Sequence, residues 1–133
     1  MGNRAVITTK GNKWGVYLHW NGGRDSVEGF LRYCKDKGYR CPSKDCYGWA
    51  RLLQVIGNFF GGDLSLGFDL KKRLDCNNGD NGVYVIENWE IVGREFMRNG
   101  EQDEYPLEEV LKAIDEKQPE GEQIYKDKEV IVA

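Results

Sequence analysis

The run His19-Trp20-Asn21-Gly22-Gly23-Arg24-Asp25-Ser26 carries the residue types that hold an anion. Its pattern takes a strand over 14–20 through two glycines into the first turn of a helix. A helix start has unpaired N–H groups and a positive dipole end, and both favour negative charge. Gly22 and Gly23 let a ligand approach the backbone, Arg24 adds a cation, and Trp20 offers a stacking face. Trp20, Asn21, Gly22, Gly23, Arg24 and Ser26 are therefore the candidate binding residues, for a phosphate, a carboxylate or an acidic partner. The competing reading is a plain strand-to-helix connection in which the glycines make the turn and Asp25 caps the helix. Asp25 would also repel a phosphate, and the G-x-x-x-x-G-K-[ST] spacing of a P-loop is absent.

Other chemistries are thinner. Cys41 and Cys46 have a spacing used by paired zinc ligands, and Cys34, Cys76 or His19 would have to complete the set. No second close pair exists, and Cys34 has a place on a helical apolar stripe, so no metal and no cofactor is expected. Asp75, Asn77, Asp80 and Asn81 crowd oxygens into a glycine-containing loop. Gly79 and Ile86 stand where an EF-hand needs ligands, and Asn-Gly pairs form turns without metal. Catalysis would have to be built around His19, the only histidine, with Ser26 or Cys34 as nucleophile, and no nucleophile elbow is present. An enzyme is not expected. The acidic residues Asp75, Asp80, Glu101, Asp103 and Glu104 form a second candidate surface, able to mimic phosphates for a basic partner. Basic residues from Arg24 to Arg51 interleave with Tyr33, Tyr39, Tyr47 and Trp49, a mixture that can follow nucleic acid. Asp25, Glu28, Asp36 and Asp45 dilute it.

The elements that must position these groups are legible from periodicity. Strands are expected over 5–9, 14–20, 64–70, 83–86 and 89–96, the last two a hairpin turning at Glu87-Asn88. A helix over 26–37 places Val27, Phe30, Leu31 and Cys34 on one stripe, with Asp25 as N-cap, Glu28 completing a capping box and Gly38 as the stop. A broadly apolar helix over 47–60 carries Trp49, Leu52, Leu53, Ile56 and Phe60 and belongs at the buried centre. Pro106 opens a last helix with Leu107, Val110, Leu111 and Ile114 inward. The expected fold is α+β: an antiparallel sheet of about five strands, two central helices packed on one face, and a C-terminal helix. Residues 1–117 form the single domain, and 118–133 a polar tail ending in an added edge strand over 129–133 or a frayed end.

A chain of 133 residues makes one core and not two. Its net charge of −3 argues against sequence-independent nucleic-acid binding, which needs a basic surplus. No apolar run approaches the ~20 residues of a membrane span, and no signal-peptide pattern opens the chain. A cytoplasmic location with reduced cysteines is expected.

The runs Gly2-Asn3-Arg4-Ala5-Val6-Ile7-Thr8, Val16-Tyr17-Leu18-His19-Trp20-Asn21-Gly22-Gly23-Arg24-Asp25-Ser26-Val27 and Tyr47-Gly48-Trp49-Ala50-Arg51-Leu52 resemble a family of small, mostly uncharacterised proteins. Prophages and mobile elements of Gram-positive gut bacteria carry them, and the resemblance extends up to Pro119. It implies a context: accessory factors that blunt host defence, including anti-CRISPR proteins and sponges for signalling nucleotides. The leading expectation is a non-enzymatic inhibitor that binds a bacterial defence protein such as a CRISPR effector in the host cytoplasm. The alternative is a nucleotide-binding sponge, homo-oligomeric, that holds its ligand through Arg24, the Gly22-Gly23 backbone and Trp20. A small enzyme around His19 comes third.

Overall fold

Every residue of the first strand, Ala5–Thr9 (β1), is buried. A strand covered on both faces belongs inside a sheet. That is where the computed structural model, which describes residues 2–11, 13–62 and 64–125, places it. Trp14–Leu18 (β2) pairs antiparallel with β1, and Leu66–Leu70 (β3) pairs antiparallel with β2. Val83–Glu87 (β4) and Glu90–Glu95 (β5) form the expected hairpin. The strand order is β3-β2-β1-β4-β5.

The class is α+β, but the sheet is mixed and not antiparallel throughout, because β4 runs parallel to β1 in the register Val6 to Val83. Hairpins are local and leave a sequence pattern, whereas a parallel pair needs a long crossover and leaves none. Here residues 71–82 make the final crossing. Leu74 lies against Gly15, on the face opposite Val16, and the loop then ties to the start of β1 through Asn81 N–H donating to the Arg4 carbonyl at 3.1 Å. Buried Asn78 shapes the loop: its oxygen accepts from Asp80 N and Gly82 N, and its amide donates to the Asp75 and Gly82 carbonyls. Gly82 has φ +67°, and a Cβ there would overlap the Glu95 carbonyl. Gly82→Ala is expected to cost about 1–3 kcal/mol from strain and overpacking. Urea melts check this, and a loss under about 0.5 kcal/mol would mean the loop adapts.

Arg24–Asp36 (α1) and Cys46–Phe60 (α2) share one core with Ala5, Ile7, Val16, Leu18, Tyr84 and Ile86 of the sheet. The α1 stripe of Val27, Phe30, Leu31 and Cys34 is fully buried, and Gly38 (φ +77°) follows the helix end. Asp45 caps α2, its carboxylate accepting from Tyr47 N at 3.1 Å and Gly48 N at 3.4 Å. Trp49, Leu52, Val55 and Ile56 are buried, and Phe59 and Phe60 meet the Phe30 ring edge-on. Leu107–Glu116 (α3) packs on α1 at Gly29, where a Cβ would overlap Val110. Pro106 stands at its N-cap, one place before the expected position.

Beyond α3, the described part of the polar segment is fastened to the domain. Gln118 is buried and bridges α2 and α3 through the Val55 and Ile114 carbonyls and the Asn58 amide. Buried Asp115 accepts from the Tyr33 hydroxyl (2.6 Å), Ile124 N (2.9 Å) and Tyr125 N (3.1 Å). The strand expected over 129–133 lies outside the described residues.

Candidate functional site

The two surfaces read separately from the sequence, the Gly-Gly-Arg turn and the acidic loop, are one structure. β2 stops at Leu18, two residues short of the expected end, and the chain turns at Asn21 in the left-handed region (φ +56°). Gly22 N donates to the Asn3 carbonyl, and a Cβ on Gly22 would overlap that same carbonyl. A Cβ on Gly23 would overlap the Gln102 side chain. The room that two glycines leave is therefore filled by the chain itself.

Arg24 is engaged on both sides. Its Nε donates to Glu28 at 2.6 Å and its Nη1 to Glu101 at 2.5 Å. The other Glu101 oxygen takes Arg94, a residue the sequence reading passed over inside the β4–β5 hairpin. Arg94 lies over the Tyr84 ring at 3.7 Å and also donates to the Asn81 and Val83 carbonyls. Glu101 thus occupies the place of an anion between two guanidiniums. Burial alone would raise its carboxyl pKa, but Arg94 and Arg24 outweigh that and hold it below the ordinary value.

The cap of α1 is Gly23, with no side-chain hydrogen bond, and not Asp25. Asp25 lies in the first turn, its backbone N–H donating to the Gln102 carbonyl at 2.9 Å. Its carboxylate accepts from Ser26 N and from Glu104 N and Tyr105 N. An acidic side chain suited to capping is spent on holding the neighbouring loop. Ser26 Oγ accepts from the Asn21 amide at 3.4 Å. Trp20 is 39% exposed and meets His19 edge-on, ring centres 4.9 Å apart.

The remaining acidic candidates divide. Asp80 accepts from the Arg4 Nε (2.8 Å) and backbone N (3.1 Å), and that contact lowers its pKa. Asp75 stands 3.9 Å from the same guanidinium. Asp103 and Glu104 are exposed and form no ion pair among the described residues.

These contacts set a pH dependence with a definite sign. The carboxyls of Glu101 and Asp80 have folded pKa values below their ordinary 4.5 and 3.8. The unfolded chain therefore binds more protons in that range, and stability falls as pH drops through the folded values. The contribution is complete above about pH 4.5 and shrinks below it. Arg24→Ala is expected to flatten this acid slope in urea melts run from pH 6 to 3, and an unchanged slope would show that the clamp contributes nothing.

His19 Nδ1 lies 3.0 Å from the Tyr17 hydroxyl. Cys34 is fully buried, and burial drives its thiol pKa well up, so it carries no thiolate for a nucleophilic role. Cys41 is buried beside Ser43 while Cys46 is exposed, and among the described residues no three His, Cys, Asp or Glu side chains converge as metal ligands.

Lys37, Arg40 and Arg51 of the basic-aromatic stretch meet its own rings. Arg40 and Arg51 lie 5.1 and 4.7 Å from the Tyr47 ring centre, and Lys37 and Arg51 flank Tyr39. A different aromatic group is assembled only by the fold: Trp14 stacks on Phe68 (5.4 Å, 4°), which meets Trp49. Its sequence signal was alternation, since Trp14 shares a strand face with Val16 and Leu18, and Phe68 with Leu66 and Leu70.

No protein-family model matches the chain, and neither a curated protein nor a solved structure is significantly similar to it.

Proposed function

We propose that the protein acts without catalysis, by docking on a bacterial host-defence protein and blocking it, a CRISPR effector nuclease being the kind of partner that the sequence resemblance implies. One observation carries this reading: residues 101–105 have no regular secondary structure, yet they are held at almost every position. Glu101 is clamped by Arg24 and Arg94, Gln102 accepts from the Asn3 amide at 3.0 Å, and Asp25 takes the backbone N–H groups of Glu104 and Tyr105. Asp103, Glu104 and the 55%-exposed Tyr105 are left facing solvent on a braced loop. A pre-ordered loop loses less entropy on binding, acidic groups complement a channel built for nucleic acid, and a tyrosine supplies an apolar anchor. The sponge reading would require a nucleotide to displace Glu101 from Arg24, and no contact around the turn favours that.

The test is charge reversal. Asp103→Lys with Glu104→Lys is expected to weaken inhibition of a purified CRISPR effector nuclease about tenfold or more, read by DNA cleavage, with the melting temperature unchanged. Inhibition equal to wild type would overturn the assignment of this loop. No inhibition by the wild-type protein would overturn the choice of partner.

A further inference from the structure

Two hollows on one side of the domain have Trp14 and Ser43 in common. The larger, about 520 Å³, is faced by Trp14, Phe68, Trp49, Leu53 and the start of α2. The smaller, about 280 Å³, is faced by Thr9, Lys10, Gly11 and Lys13 in the turn between β1 and β2.

The two hollows differ in chemistry. The first is walled by rings, with Trp14 and Phe68 face to face and still 43% and 41% exposed. The second is polar, and Lys10 and Lys13 there, with Lys44 on the rim of the first, form no ion pair among the described residues. Asp45 also faces the first hollow, but its carboxylate is committed to Arg40 and to the amides at the start of α2. Aromatic faces beside unneutralised lysines recognise a flat ring that bears negative charge. Rings in one hollow and lysines in the other refine that to a flat ring with a separate anionic group.

We propose that this double hollow binds a nucleobase carrying a phosphate. The base stacks on Trp14 beside Phe68, and the phosphate meets Lys10 and Lys13. The site lies at the end of β2 opposite the start of α1, so it stands or falls independently of the acidic loop.

Calorimetric titration of the full chain with each of the four nucleoside monophosphates, and separately with a short single-stranded oligonucleotide, tests it. Saturable binding that quenches tryptophan fluorescence and weakens with added salt is expected. Saturation by a monophosphate identifies the free nucleotide as the source, and saturation by the strand alone identifies a polynucleotide. Trp14→Ala and Lys13→Glu should each raise Kd about tenfold or more. Lys13→Glu changes a solvent-facing residue, so it keeps the test valid even if Trp14→Ala fails to fold. No saturable binding by any of these probes, or a Kd unchanged in Lys13→Glu, would overturn the proposal.

Discussion

Phe30→Ala lowers the unfolding free energy by about 3–5 kcal/mol, the range for truncating a buried phenylalanine. The ring is fully buried in the layer between α1 and α2, where Phe59 and Phe60 meet it edge-on with centres 5.4 and 6.5 Å away. Removing it deletes the transfer term and both ring contacts and leaves a cavity that helices packed on a sheet cannot close. A domain of this size has roughly 5–15 kcal/mol in total, so the variant sits near the edge of folding at 37 °C. Denaturant melts at constant slope are the check. A loss below about 1 kcal/mol would show that α2 slides inward to fill the space.

Asp115→Ala is the second large effect, expected at roughly 3 kcal/mol. The carboxylate is 4% exposed and accepts three hydrogen bonds, each worth about 1.5–3 kcal/mol when the acceptor is charged, against the cost of burying that charge. Its loss strands the Tyr33 hydroxyl in the core. Burial first, then the Asp115 contact, push the Tyr33 pKa up, so this group stays a proton donor. The effect should also be local. Amide exchange at Ile124 and Tyr125 should accelerate far more than at β1, because those two N–H groups lose their acceptor. Equal acceleration everywhere would mean that the segment after α3 is not held by Asp115.

What the sequence revealed follows from the range of each interaction. The α1 stripe and the Asp45–Phe60 region were legible because a helix repeats its apolar residues within a few positions. The β4–β5 hairpin was legible too, though its turn is at Asn88 and Trp89 rather than at Glu87 and Asn88. Both turn residues have positive φ, which the residue type tryptophan does not announce. Trp89 is held there by burial and by its indole N–H donating to the Tyr39 carbonyl at 2.8 Å. The parallel β1–β4 pairing was invisible, since nothing near Val6 specifies Val83. The Arg24–Glu101–Arg94 clamp was invisible for the same reason. Each residue looks like ordinary surface charge until the fold brings the three together, and only then does the turn that seemed open to a ligand prove to be filled by the chain.

The placement of β1 has a kinetic consequence. Its one edge is satisfied at once by β2, a short turn away, but the other waits for Val83–Glu87, which emerges from the ribosome only after both central helices. Until then a strand with no exposed residue in the finished protein presents a bare, apolar hydrogen-bonding edge. Closing that edge means ordering everything in between, the kind of long-range event that slows folding. A nascent chain stalled before residue 83 should therefore be a sticky, unfinished sheet that chaperones hold, and completion of the domain should come late and in one cooperative step.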